Sequence, residues 1–205
     1  FKDAGSSLDR QNLDKFKSQI EGYIAGGGFF RFGTEMDSWG EQLPPVSLRK
    51  FGHSLGGVYV DGSVFAKDEV VRRAILNLAG EDSLHLWTAN KYRKYLGEKE
   101  ISAKDHKGSY YLREADGTFA LFRYPTSPLE GNPKIKKVPF HSVRVGNFPK
   151  GYFKDKIVLI GPSYISNSND YVLSPFDREN YRSSKMSIHA LIIQALIQGK
   201  TIYPI

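Results

Sequence analysis

Residues 109–123 read SYYLREADGTFALFR, and this stretch decides the fold more directly than any other part of the chain. Two runs rich in aromatic and aliphatic residues, 109–113 and 118–123, flank the turn Ala115-Asp116-Gly117. An Asp-Gly pair tolerates the positive φ angles that tight hairpin turns require. The sequence therefore predicts a β-hairpin near residues 109–124.

A second strand and a helix are predicted toward the C-terminal end. Residues 156–161, KIVLIG, form a continuous apolar run that ends in glycine. Such a run is typical of a central strand buried on both faces, as in parallel sheets. Ser187 can cap a following helix whose apolar residues recur at helical spacing from residue 188 to residue 196, before Gly199 ends it. The strand, a long connection and the helix together predict most of a βα crossover unit.

The N-terminal half adds helices and short strands. Leu13, Phe16 and Ile20 begin a helical spacing that predicts a first helix, ending at the glycines 26–28. Apolar and β-branched residues predict strands at 28–33, 57–60 and 70–76, listed here in chain order.

A second helix is predicted over residues 82–96, closed by Gly97 in a C-terminal capping position. The proline-rich residues 125–149 are expected to form a loop with one short helix near residues 141–145. The predicted fold class is α/β: a mixed, mainly β-sheet flanked by helices in a three-layer-like arrangement, with a β-hairpin near residues 109–124.

The composition is that of one packed globular domain. The chain has 205 residues, of which 40% are hydrophobic and 25% charged, and it contains no cysteine. Disulfide scaffolds, thiolate catalysis and cysteine-ligated metal centres are therefore excluded. The longest nearly uninterrupted apolar stretch, residues 190–197, is far shorter than the roughly 20 residues of a membrane-spanning helix. The abrupt beginning at Phe1 indicates a piece of a longer protein.

The charge is positive but dispersed. Lysine and arginine number 29 against 22 aspartate and glutamate residues, a formal net charge of +7. A basic stripe or a nucleic-acid-binding motif is absent from the sequence, so nucleic acid is not an expected partner. A solvated cationic surface is the simpler interpretation, and a binding module for cell-wall or nucleic-acid polymers is the alternative. The alternative predicts an affinity that falls steeply with salt.

One motif is typical of an enzyme. Residues 52–57, GHSLGG, match the G-x-S-x-G nucleophile elbow of α/β-hydrolases, and a triad of Ser54, Asp105 or Asp170, and His189 follows the correct chain order. The elbow requires a strand before the serine and a helix after it. Neither flank has that pattern, so an esterase using Ser54 is the alternative hypothesis, and a glycine-rich entry into a strand is the simpler one.

Metal and cofactor signatures are lacking in the sequence. The five histidines are widely spread, with no H-x-x-x-H or H-E-x-x-H pair. Neither a P-loop nor a G-x-G-x-x-G fingerprint occurs. We therefore expect no metal and no cofactor.

The best candidate site is the loop at residues 161–170, GPSYISNSND, because ligands of open α/β sheets bind outside the carboxyl ends of strands. A mere surface connection with the same turn-forming residues is the equal alternative. The expected catalytic set is empty, and the candidate ligand-binding residues are Ser163, Tyr164, Asn167, Asn169 and Asp170, with Arg72 and His189 from neighbouring elements.

Four motifs near the C-terminal end follow one another in a recognisable order. They are FKDKIVLIG at residues 153–161, then Asp170, Ser174-Pro175 and Ile188-His189-Ala190. This order resembles the ending of the second type of CHASE domain, a family of sensory extracellular modules attached to bacterial cyclases and histidine kinases.

Upstream residues extend this resemblance over about residues 1–200. GVYV at residues 57–60 and VVRR at residues 70–73 are similar to a further element of the family. One departure is that Asp68-Glu69 replaces the family's usual Asp-Gly, which affects the geometry expected of that turn.

The resemblance implies one sensor domain over residues 1–205, lacking its N-terminal strand and helix and the flanking membrane helices. It implies a non-catalytic module on the periplasmic face of a bacterial inner membrane that regulates a tethered cytoplasmic cyclase, diguanylate cyclase or kinase. Homodimerisation is expected, and so is a small-molecule or periplasmic ligand of unidentified structure.

Overall fold

The computed structural model describes residues 7–37, 39–57, 69–125, 127–128, 135–164, 170–177 and 182–202. The predicted mixed α/β class is confirmed. The helices are α1 (Ser7–Ala25), α2 (Leu84–Tyr95), α3 (Phe140–Arg144) and α4 (Lys185–Ile197). The strands are β1 (Phe32–Thr34), β2 (Met36–Asp37), β3 (Gly40–Glu41), β4 (His53–Leu55), β5 (Arg73–Leu78), β6 (Glu81–Asp82), β7 (Ser109–Leu112), β8 (Gly117–Phe122), β9 (Tyr171–Val172), β10 (Ser183–Ser184) and β11 (Thr201–Ile202).

The predicted hairpin is confirmed and lies at the centre of the main sheet. β7 and β8 pair antiparallel, and the turn between them places Asp116 in the left-handed region at φ 43°. β8 also pairs antiparallel with β5 and, near its end, with β11. β6 pairs with β5 and completes the five-stranded sheet.

Helices α2 and α4 pack on each other and on one face of this sheet. The side chains of Ala74 and Leu76 on β5 and of Ala120 and Phe122 on β8 belong to this core and are almost fully buried. Side chains alternate between the two faces of a strand. Phe119, between Ala120 and Thr118, therefore points to the opposite face.

Both core helices end in glycine, as predicted. Gly97 after α2 has φ 76°, and Gly199 after α4 has φ 64°. After α4, the N–H of Lys200 bonds to the carbonyl of Ala195, and the N–H of Gly199 to that of Leu196. This pair of bonds is a Schellman motif, which needs the left-handed conformation that glycine adopts without steric cost.

The start of α4 differs from the prediction. The helix begins at Lys185, with Ser184 in the N-cap position, so Ser187 is already inside the first turn. Ser187 is buried and the predicted role as N-cap is wrong. The helix starts earlier because β10, which pairs antiparallel with β9, ends at Ser184, directly before Lys185.

The predicted buried strand at 156–161 is also wrong. Residues 157–160 belong to no strand, and Val158 and Ile160 are 48% and 80% exposed. Ile157 and Leu159 alternate with them and are half-buried, so the segment is extended with one face on the protein. The centre of the sheet is occupied by β8, and within the described residues no parallel βα crossover leads into α4.

The N-terminal predictions are confirmed in type and shifted in position. α1 forms as expected. The strand predicted at residues 28–33 begins only at Phe32, where β1 pairs in parallel with β4, and the strand predicted at 70–76 is β5. Residues 58–60 of the remaining predicted strand lie outside the described residues. The second helix and the short helix near residue 141 are confirmed as α2 and α3.

Candidate functional site

The loop selected from the sequence meets the start of α4. The hydroxyl oxygens of Ser163 and Ser184 lie 3.0 Å apart. Gly161 approaches Met186 so closely that a Cβ at residue 161 would come within 2.5 Å of the methionine sulfur. The absence of a side chain at Gly161 therefore allows the loop to pack against the first turn of α4.

Asp170 holds the far end of this loop. Its side chain is 7% exposed, and its Oδ2 accepts a hydrogen bond of 3.0 Å from the backbone N–H of Tyr164. Satisfied hydrogen bonds are the usual condition for burying a carboxylate. The ring of Tyr164 is 68% exposed beside it, so Asp170 positions the loop and Tyr164 is the accessible group.

The remaining predicted residues are distributed over neighbouring elements. Asn167 and Asn169 lie outside the described residues. Arg72 directly follows Val71, whose N–H bonds to the carbonyl of Leu173, so Arg72 is near the segment that continues from Asp170. The structure thus joins Ser163, Tyr164 and Asp170 at one place.

A hydrogen-bonded network that sequence reasoning missed fixes the approach to α4. The buried hydroxyl of Ser183 donates to Asp177 Oδ1 at 2.8 Å, and the Asp177 carboxylate also accepts the backbone N–H of Ser174. Serine and aspartate commonly bond to nearby backbone groups in turns. The sequence Ser174-Pro175-Phe176-Asp177 carried that signal. The network holds β10 in place directly before Lys185.

Two buried histidines connect α2 to α4. His85 Nε2 lies 2.7 Å from His189 Nδ1, and the two rings stack with their centroids 5.0 Å apart. Burial, and then the nearby Lys185 ammonium, lower the pKa of His189 to about 4. Burial, and then the adjacent His189, hold the pKa of His85 well below its ordinary value. Both rings are therefore neutral at pH 7, and a single N–H satisfies the contact between them. His189, a predicted ligand-binding residue, instead joins two core helices.

A cleft of about 370 Å³ opens on the face of the sheet opposite the α2–α4 core. Its described lining is mainly apolar and includes two ionisable side chains, Glu35 and Lys185. Lys185 Nζ lies 3.8 Å from Glu35 Oε1. The other described lining residues are Met36, Leu55, Gly57, Ile75, Leu78, Ala115 and Phe119. The first residue of α4 therefore borders this cleft, while Ser184 before it contacts the 161–164 loop.

The geometry at Ser54 does not match a nucleophile elbow. Ser54 is the middle residue of β4, is 5% exposed, and its hydroxyl accepts a hydrogen bond of 2.7 Å from Arg31 Nε. β4 ends at Leu55, and Gly56 and Gly57 are not helical. Ser54 therefore lies within a strand and not in the strand–turn–helix geometry that exposes a nucleophilic serine. The strand that the simpler hypothesis expects after the glycines lies, apart from Gly57, outside the described residues.

Neither a metal cluster nor a membrane span is found in the described part of the chain. Among those residues, no group of three or more histidine, aspartate or glutamate side chains is arranged to hold a metal ion. None of the described helices combines the length and the apolar character needed to cross a bilayer.

Comparison with known proteins gives one match. A family model described as the CHASE2 domain matches residues 10–204, which is nearly the whole chain. No curated protein and no solved structure matches this chain.

Proposed function

The chain belongs to the CHASE2 domain family, and from this premise we propose that it is the signal-input domain of a bacterial membrane receptor. CHASE2 domains are sensory extracellular domains of cyclase and kinase receptors. The observation that carries the proposal is the family match over residues 10–204, because it covers the core helices, the central sheet and the candidate loop together.

The proposal has a more specific form. The domain lies on the periplasmic side of the inner membrane as a homodimer and regulates a cyclase, diguanylate cyclase or kinase in the same polypeptide. It has no catalytic activity of its own and takes no cofactor. The buried, hydrogen-bonded position of Ser54 supports this form over the esterase alternative.

Helix α4 is the element suited to transmit a signal. Its first turn borders the cleft through Lys185 and the candidate loop through Met186, and its 13 residues span roughly 20 Å. Most of its side chains are buried against α2 and the sheet, and β11 follows it directly. A ligand can change receptor output only by binding the two signalling states with different affinity. A small movement at Lys185 would be carried along the helix because a packed core resists local deformation.

The proposal is tested in the full-length receptor by its output activity. Asp170→Asn keeps the shape of the side chain but removes the charge that accepts the Tyr164 N–H. We expect output to change about fivefold or more, as coupling of at least ~1 kcal/mol implies. Asp105→Asn is the matched control, because Asp105 is exposed.

Two results would contradict different parts of this proposal. Unchanged output and unchanged folding of the Asp170→Asn receptor would reject the 161–170 loop as the signalling site. Output that stays regulated after residues 1–205 are replaced by an inert linker would reject the sensory function itself.

A further inference from the structure

The floor of the cleft is a rigid apolar surface. Phe119 and Ile75 face each other across β8 and β5 as registered partners, and both side chains are buried. The apolar surface that a ligand can contact is supplied by the exposed Met36 and the half-buried Leu55 and Leu78. The Phe119 ring stacks on Tyr110 with centroids 6.2 Å apart, which fixes its orientation. Ligand pockets have typical volumes of ~300–1,000 Å³ and mostly apolar walls with a few polar groups. The volume of about 370 Å³ falls in this range.

The charged groups at the cleft are arranged asymmetrically. The side chain of Lys185 is 28% exposed, whereas that of Glu35 is 62% exposed, so the ammonium is the group held closer to the protein. Their separation of 3.8 Å exceeds the roughly 2.7–3.2 Å of a direct hydrogen bond. Glu35 therefore forms only a long ion pair with Lys185, and the carboxylate of a ligand can replace it at a shorter distance.

The start of α4 adds positive potential at the same position. Lys185 is the first residue of the helix, where unpaired backbone N–H groups carry the positive end of the helix dipole. The Ser184 side chain does not cap these groups and instead contacts Ser163. An anion at Lys185 is thus favoured by both the ammonium and the helix end, and it is opposed by the more exposed Glu35 carboxylate.

We propose that this cleft binds a small monocarboxylate with an apolar body, the carboxylate on Lys185 and the apolar body against Met36, Leu55 and Leu78. This identifies the ligand class of the sensor, and its signalling role rests on the proposed function. Binding exchanges the long Lys185–Glu35 contact for a direct ion pair and buries the apolar surface that these three side chains expose. Because Lys185 begins α4, occupancy acts on the helix that joins the cleft to β11.

Three probes that share one eight-carbon tail test the chemistry of the head group. We would titrate octanoate, octanamide and octylamine into the 205-residue chain and measure binding by calorimetry. Octanoate is expected to bind about tenfold or more tightly than octanamide, as a charge-assisted hydrogen bond implies, and octylamine is expected to bind weakest. Octylamine binding as tightly as octanoate, or no binding of octanoate, would overturn the proposal.

Variants locate the site. Lys185→Gln is expected to lower octanoate affinity to that of octanamide and to leave octanamide unchanged. Lys200→Gln is the matched control, because Lys200 is an exposed lysine just beyond the other end of α4. Glu35→Gln is expected to strengthen octanoate binding by removing the competing carboxylate, and Ala115→Phe to weaken all three probes by filling the cleft. Circular dichroism checks that each variant folds.

The outcomes separate the ligand class from the sensory function. Unchanged octanoate affinity in both Lys185→Gln and Glu35→Gln would reject the cleft, even where the receptor still signals. Octanoate binding that depends on Lys185 but does not alter output in the full-length receptor would leave the site standing and reject its role in signalling.

Discussion

Two regions of this molecule have similarly apolar sequences and very different burial. The packed region, formed by β5, β7 and β8 with α2 and α4, encloses its large side chains almost completely. The exposed segment, residues 140–160, leaves many of its apolar side chains in contact with solvent. Those at least 37% exposed are Phe140, Val143, Val145, Phe153, Val158 and Ile160.

The difference shows that hydrogen-bonding strand partners decide whether an apolar run is buried. β8 contains the apolar run FALF and pairs with strands on both of its edges, one of them brought by the adjacent Asp-Gly turn. The IVLI run at residues 157–160 is at least as apolar, but it has no strand partner within the described residues. Hydrophobicity favours removal from water, whereas the position of a strand also requires hydrogen-bonding neighbours.

The largest expected contrast comes from one substitution made in both regions. Ile192 in α4 has no exposed surface and belongs to the core cluster, whereas Ile160 is 80% exposed. Ile192→Ala is expected to lower the free energy of unfolding by about 2–5 kcal/mol, because it leaves a cavity. Ile160→Ala is expected to change it by less than ~0.5 kcal/mol. Urea unfolding measures the free energy of unfolding of both variants. Equal losses would show that the two regions do not differ in how much buried side chains stabilise them.

Acid should destabilise the packed region through its histidine pair. Burial depresses the pKa of His189 from 6.5 to about 4, so between these values the unfolded chain binds more protons than the folded chain. The stabilising contribution is complete above pH 6.5 and is lost as the pH falls toward 4, by roughly 3 kcal/mol.

Unfolding measured from pH 7.5 to pH 4 in three variants tests this acid effect. His189→Gln should weaken the pH dependence, and changing His85 to Gln as well should flatten it, because both buried rings have depressed pKa values. His141→Gln, which changes an exposed histidine in the exposed segment, should retain the original dependence. A steep pH dependence that persists when both buried histidines are changed would assign the acid effect to other groups.

A smaller difference is expected between the N-cap serines of the two core helices. The Ser83 hydroxyl accepts the N–H of Leu86 and donates to the carbonyl of Ile75, which ties α2 to β5. Ser83→Ala should cost about 1–2 kcal/mol. Ser184 makes no capping bond, so Ser184→Ala should cost less than ~1 kcal/mol. Thermal unfolding of the two variants measures the difference in stability. A larger loss of stability in Ser184→Ala than in Ser83→Ala would contradict the assignment of Ser83 as the capping serine.

Local signals in the sequence predicted local structure well. The Asp116-Gly117 turn, the glycine after each core helix and the helical spacing in α1 each act within a few residues, and each prediction is confirmed. Glu69 is instructive, because it adopts φ 54°, a conformation that favours glycine, and no local signal in the sequence predicts it.

Long-range relations could not be predicted in the same way. The run at 156–161 carried no information about which strand would occupy the centre of the sheet. The contact between His85 and His189 joins residues 104 positions apart, and the cleft combines side chains from β2, β4, β5, β8 and α4. The sequence selected the 161–170 loop as a candidate site but not its contact with the start of α4, and the cleft residues Glu35 and Lys185 have no local signature that marks them.

Helix α4 also determines when this domain can fold during synthesis. Ile188, Ile192 and Leu196 supply the middle of the core cluster, and β11, which follows at Thr201–Ile202, pairs with β8 about 80 residues earlier. Chain leaving the ribosome folds in the order of its synthesis, and contacts of large sequence separation form slowly. The core face of β5 and β8 therefore remains only partly covered, by α2, until the last helix has emerged. A nascent chain stalled before residue 185 should consequently be bound by chaperones and cleaved by proteases that the completed domain resists.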